Sequence, residues 1–311
     1  MTLAFVFPGQ GSQYPGMGRD LLICDERSRA LIPEAEAVTG LPIAELMNRA
    51  DAPTIADPEI AQVLVFVASA VLHRQLTAQG WRPDVVAGHS LGEYSALVAS
   101  GALGWTEALS LVATRGRVMA AAARQASGTM AAIVGLPVED VAELCARTST
   151  TDGPAVVANL NSRRQAVVSG ARDAVTAVVE SAKAAGALRA KLLPVGGAYH
   201  SPLMSPAADE LAPLVRTAGL ARPAVPLISS VTGEPVHDLE AYRAELAGQI
   251  TSPVRWQATV AALAGSGVRR YVEVGPGRVL SGLGRETARD AIHLTAADAL
   301  RSRAGSPAVA S

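Results

Sequence analysis

The chain has 311 residues, enough for one large domain or a domain carrying an insert. It is 49% hydrophobic and 18% charged, so it can bury a sizeable core, and an aromatic share of only 4% makes that core mainly Ala, Val and Leu. The net charge of −1, with Lys and Arg scattered rather than in runs, argues against general nucleic-acid binding.

Residues 3–7 read as a short buried strand. The apolar N-terminus has no basic segment and breaks at Pro8, which argues against a signal peptide. The loop Pro8-Gly9-Gln10-Gly11-Ser12-Gln13 follows, and its glycines let backbone amides approach a ligand. Residues 19–57 are polar and rich in helix formers. Residues 59–79 read as a long helix. Its most apolar part, about residues 60–76, carries Gln62, His73 and Arg74, so no run is expected to cross a membrane. Cys24 and Cys145 lie far apart without metal-type spacing, suit a reducing cytoplasm and are assigned no chemistry.

A second buried strand begins at Val85 and leads into Gly88-His89-Ser90-Leu91-Gly92, a G-x-S-x-G pattern between a strand and a helix. That is a nucleophile elbow. A turn this sharp leaves no room for flanking side chains, and the Ser90 hydroxyl is presented at its apex. The Leu91 amide lies at the helix N-terminus, where unpaired N–H groups favour a developing oxyanion. A hydrolase-like sheet places its second oxyanion amide in a loop such as Gly9 to Gln13.

Residues 105–124 predict a helix whose apolar stripe runs Ala108, Leu111, Val112, Arg115, Met119. Arg115 sits on that stripe, and Arg117 lies on the other side. A buried guanidinium is costly unless paired, so Arg115 either extends to the surface or faces an anion in a pocket. Residues 128–194 read as β-α-β-β-α-β, with a hairpin turning across Asn161-Ser162-Arg163-Arg164, which is the ferredoxin-like order. After it come the loop Gly196-Gly197-Ala198-Tyr199-His200, a helix at 204–218, a strand at 226–231, helices at 239–250 and 256–265, a strand at 271–274, a helix at 279–287 and an edge strand at 292–295.

The expected fold is α/β. Residues 1–127 and 195–295 form a hydrolase-like large domain with a central, mainly parallel sheet. Residues 128–194 form an inserted ferredoxin-like subdomain that walls a cleft. Residues 296–311, rich in Ala, Ser and Arg, read as a disordered tail.

Ser90 needs a base. Of His73, His89, His200, His237 and His293, His200 alone sits on a glycine loop re-entering the main sheet. The acids between Ser90 and His200, Glu93 among them, fall on helices or peripheral loops, and none follows a main-sheet strand. A Ser–His dyad oriented by a backbone carbonyl is therefore expected. Tyr199 precedes the base, so its ring should border the pocket beside Ser90.

The string Gly88-His89-Ser90-Leu91-Gly92-Glu93 resembles the active-site signature of the malonyl-CoA:acyl carrier protein transacylases and related polyketide synthase acyltransferases. Phe-Pro-Gly-Gln-Gly-Ser-Gln at 7–13, Thr114-Arg115-Gly116-Arg117, Tyr199-His200-Ser201-Pro202-Leu203-Met204 and Gly275-Pro276-Gly277 match the same family in order. The resemblance implies that the Gln10 amide pairs with that of Leu91 and that Arg115 forks onto a malonyl carboxylate. It also implies that Gln249 supplies the carbonyl for His200 and that Gln62 and Asn161 lie near the pocket. Val63 stands where the family usually has proline. An aromatic at Tyr199 favours malonyl over methylmalonyl.

The implied reaction is transfer of malonyl from CoA to the phosphopantetheine of an acyl carrier protein in the cytoplasm, for fatty acid synthesis or polyketide synthase modules. It takes no metal and no cofactor, since both thiols belong to substrates. Two rival classes are a proofreading hydrolase of acylated carrier proteins and an idle docking module.

Overall fold

The computed structural model describes residues 2–21, 25–151 and 153–304. Cys24 and the end of the tail, 305–311, lie outside them.

The strands are β1 Thr2–Phe7, β2 Val85–Gly88, β3 Gly128–Val134, β4 Ala155–Ser162, β5 Gln165–Ala171, β6 Arg189–Leu192, β7 Leu227–Ile228, β8 Val268–Glu273 and β9 Ile292–Thr295. They form two sheets. The large one runs β7-β2-β1-β8-β9, and every neighbouring pair in it is parallel. Its central strand, Leu3-Ala4-Phe5-Val6-Phe7, is apolar at every position and buried throughout, as a strand covered by helices on both faces must be. The small sheet runs β4-β5-β3-β6, each pair antiparallel. In subdomain order that is 2-3-1-4, the ferredoxin-like arrangement. The helices Val138–Thr148 and Arg172–Ala184 cover it with a core of their own, including Val141, Leu144, Val175 and Val178. The subdomain is tied back to the large sheet's side where Leu160 N donates to Val254 O (2.8 Å) and Val254 N to Ala158 O (2.8 Å).

Four local readings change. Asn161 and Ser162 belong to strand β4, and the hairpin turn tightens to Arg163-Arg164. Strand β7 stops at Ile228, because Ser229 and Ser230 turn to hydrogen-bond Glu245 and Glu93. The helix Pro58–Ala78 does reach the length and apolarity of a membrane span, yet its apolar residues, Val63 to Phe66 among them, are buried in the protein core. Residues Ala296–Ala304 form a helix, where a disordered tail was expected. Thr295 and Asp298 bond each other's backbone N–H in a reciprocal cap, and Ala296 and Ala299 pack into the main core. The alanines on that face let the segment pack closely, and its charged residues lie among them in the sequence.

The elbow is where β2 meets the helix Gly92–Ala99. A Cβ on Gly88 would lie 2.1 Å from the Gly92 carbonyl carbon, and one on Gly92 would lie 2.0 Å from the Phe7 oxygen. Neither neighbour is a movable side chain. Gly92→Ala should therefore destabilise the protein by at least ~3 kcal/mol, in the range of severe backbone clashes. Urea unfolding checks it; a stability within ~1 kcal/mol of wild type would contradict this packing.

Candidate active site

Among the described residues only two non-glycines have positive φ, Ser90 (54°) and His200 (58°). Left-handed backbone costs an ordinary L-residue ~1–2 kcal/mol, and such strain gathers at functional sites. Ser90 is strained by the elbow. His200 is strained by the turn out of the Gly196-Gly197 loop, where His200 N donates to Ile250 O (3.1 Å). The two side chains meet: Ser90 Oγ and His200 Nε2 are 2.6 Å apart.

His200 Nδ1 faces two backbone carbonyls, Gln249 O at 3.1 Å and Ser252 O at 2.9 Å. A nitrogen between two acceptors must carry the proton, so Nε2 is free to accept from Ser90 Oγ. The orienting carbonyls come from a 3₁₀ turn, Gln249–Thr251, that follows the helix Leu239–Ala247. Sequence periodicity had merged turn and helix. Gln249 occupies the orienting place implied by the resemblance, and Ser252 shares it.

Arg115 lies on the buried face of the helix Trp105–Gln125, together with Ala108, Leu111, Val112 and Met119, and is only 1% exposed. Its Nη1 donates to Gln62 Oε1 (2.6 Å), and its Nη2 to Gln249 Oε1 (3.0 Å) and to Ser90 Oγ (3.1 Å). Nε is buried with no acceptor. None of these acceptors is charged, and Arg115 is in none of the salt bridges among the described residues. Arg117 instead reaches the surface and pairs with Glu210 at 2.6 Å. The alternative that Arg115 extends to solvent is excluded by its burial.

The Gly9–Gln13 loop presses against the elbow: a Cβ on Gly9 would lie 2.6 Å from the His89 oxygen. Neither the Gln10 nor the Leu91 amide donates to a backbone carbonyl. Gln62 is fully buried, and its Nε2 lies 3.4 Å from Gln10 Oε1. Tyr199 is buried with its ring against Gly197 and its hydroxyl toward the Gln10 side chain. Asn161 is buried too, but its Oδ1 bonds His89 Nε2 (3.1 Å). His89 packs against Trp256 and makes no bond to Ser90. The structure thus gathers Ser90, His200, Arg115, Gln62 and Gln249 into one network, with Gln10 and Leu91 beside it. Asn161 bonds His89 and stands outside that network.

Residues 4–303 match the acyl transferase domain family. The chain is 37% identical over 287 residues to a malonyl CoA-acyl carrier protein transacylase of Bacillus subtilis, covering 92% of this chain and 90% of that one. The chain belongs to this transacylase family. Among solved structures, the malonyl CoA-acyl carrier protein transacylase of Coxiella burnetii superposes with a TM-score of 0.93 at 33% identity, covering 98% of this chain and 97% of that one. A malonyl-transacylase solved in complex with its holo type II polyketide synthase acyl carrier protein gives 0.93 at 34% identity, covering 97% and 99%.

One residue of this transacylase-family site was passed over in the sequence. Glu93 was counted among the helical acids and set aside as a triad member. It is fully buried in the first turn of the helix Gly92–Ala99 and accepts from Gln249 Nε2 (2.6 Å), Ser230 Oγ (2.6 Å), Ser230 N (3.3 Å) and Tyr242 Oη (3.1 Å). Burial holds its pKa above the usual carboxylate value, and these donors offset only part of that rise. The available signal was a carboxylate beside Tyr94, Ala96 and Leu97 on a helix otherwise built for the interior.

Burial first, and then the Arg115 charge, push the His200 pKa down to about 3. A base must be neutral to accept a proton, so acylation per folded molecule should hold between about pH 7 and pH 5, with no step at an ordinary histidine value. Rapid-quench acylation across that range tests this, and a fall centred near pH ~6.5 would contradict it. Stability moves the other way. His200 and His73, the latter lowered to about 4 mainly by burial, exclude protons that the unfolded chain accepts below about pH 6.5. The unfolded state then binds more protons, so the fold loses stability as pH falls from there toward 4.

Proposed function

We propose that this chain transfers malonyl from malonyl-CoA to the phosphopantetheine thiol of an acyl carrier protein through a malonyl-Ser90 intermediate. His200 Nε2 takes the Ser90 proton as Oγ attacks the thioester carbonyl. The amides of Gln10 and Leu91 hold the oxyanion. Collapse breaks the C–S bond, and the proton on His200 passes to the departing CoA thiolate. The carrier-protein thiol then enters, gives its proton to His200 and attacks the ester, and Ser90 leaves with that proton. The cycle is ping-pong, closes on itself, and draws on no metal or cofactor.

The observation that carries the substrate is Arg115. Its guanidinium is buried against neutral acceptors only, within 3.1 Å of the nucleophile. A malonyl group places a carboxylate one methylene from the reacting carbonyl, so it supplies the missing counter-charge where the acyl group must lie. A hydrolase of neutral acyl chains has no use for a cation there, and an idle docking module has no use for a strained dyad. The Tyr199 ring supports malonyl over a branched group. The relative solved with its carrier protein supports the same partner for this chain, in fatty acid synthesis or alongside polyketide synthase modules. The free, buried Cys145 supports a cytoplasmic setting.

Removing one partner of a buried charge pair typically costs ~3–5 kcal/mol, on the order of a few hundred- to a few thousand-fold. Arg115→Ala should lower kcat/KM for malonyl-CoA by about that factor relative to acetyl-CoA, which has no carboxylate. Arg115→Lys should also be poor, because a point charge cannot fork onto two oxygens. Arg117→Ala should cost little. Equal losses for both thioesters would remove the support for malonyl, and methylmalonyl-CoA turned over as well as malonyl-CoA would remove the role of Tyr199.

A further inference from the structure

Glu93 is a buried carboxylate with four hydrogen-bond donors and, among the described residues, no salt bridge. Arg115 is a buried cation with the same lack. One side chain separates them. Gln249 turns its carbonyl oxygen to Arg115 Nη2 (3.0 Å) and its amino group to Glu93 Oε2 (2.6 Å). The same Nε2 also donates to Ser90 O at 3.1 Å. The carboxamide cannot flip without setting its N–H groups against the guanidinium and its oxygen against the carboxylate. Its dipole is therefore locked between two fixed charges.

We propose that Glu93 is a positioning residue that sets the preference for carboxylated acyl groups, acting through Gln249 to hold Arg115 where its fork meets the substrate. Ser230 and Tyr242 fix Glu93 in turn, so the chain of contacts begins on two separate segments and ends at Ser90. The base is held separately: His200 Nδ1 bonds backbone oxygens of Gln249 and Ser252, not the Gln249 side chain. Loss of the Glu93 charge should therefore fall more on recognition of the acyl carboxylate than on proton transfer.

The inference rests on the malonyl-transfer reading, and the test separates the two. Steady-state kinetics with malonyl-CoA and acetyl-CoA are measured for wild type, Glu93→Gln, Arg115→Ala and the double variant. Glu93→Gln keeps the shape and removes the charge. It should lower the malonyl-to-acetyl ratio of kcat/KM by about tenfold or more, the scale of one charge-assisted hydrogen bond, chiefly through a higher KM for malonyl-CoA. In the Arg115→Ala background it should change that ratio by less than about twofold, since Glu93 acts through the residue already removed. A merely structural glutamate would lower kcat for both thioesters alike and leave the ratio alone; that result, or a full additive effect in the double variant, overturns the proposal. If Glu93→Gln does not fold, Tyr242→Phe removes one donor to Oε1 and should shift the ratio the same way by about threefold, and no shift there also overturns it. If Arg115→Ala discriminates as expected while Glu93→Gln matches wild type, only this inference fails. If wild type shows no preference for malonyl-CoA, the functional reading fails and this inference with it.

Discussion

Burying a guanidinium without a carboxylate partner costs several kcal/mol, and this protein does so beside Ser90. The cost is met by packing and by a polar network in which Arg115 donates three hydrogen bonds from its five N–H groups. Desolvation lowers the pKa of Arg115, while the phenol of Tyr94 and the carboxylate of Glu93 raise it. The Arg115 charge in turn helps keep His200 neutral. Around this one residue the rest of the site is arranged: Gln62 on one side, Gln249 on another, Ser90 in front, and the Tyr94 ring 5.9 Å away.

Backbone geometry supplies the second requirement. The dyad needs two non-glycine residues in left-handed conformation, each held by its surroundings. For Ser90 those are the close approaches of Gly88 and Gly92 to backbone that cannot move. For His200 they are the hydrogen bond to Ile250 and the two carbonyls facing its ring. The pairing of β1 with β2 adds a third alignment. Because the strands are parallel neighbours, the loop after one and the elbow after the other emerge at the same end of the sheet, where Gly9 presses on the His89 backbone.

Much of this was legible in the sequence because it is written in local patterns. The elbow is five consecutive residues, the Arg115 stripe follows helical periodicity, and the ferredoxin-like order follows from alternating short elements. The unread parts depend on contacts far apart in the chain. Glu93 looked like any helical acid until Ser230, Tyr242 and Gln249 were brought to it. Ser252 had no signal, since it contributes only a backbone oxygen. Asn161 was read in the turn because Asn and Ser favour turns, whereas pairing along β4 and the bond to His89 hold it in the strand. The helix Ala296–Ala304 was hidden by its composition, since Ala, Ser and Arg describe a solvated tail as well as a capped helix with one small-residue face.

The most direct test of the account is the intact mass and peptide map of the protein mixed with malonyl-CoA, before and after addition of holo acyl carrier protein. The account predicts a single malonyl group on the peptide containing Ser90, absent in Ser90→Ala, and discharged onto the carrier-protein thiol rather than lost to water. A malonyl group still acquired by Ser90→Ala, or an adduct released only as free malonate, would contradict it.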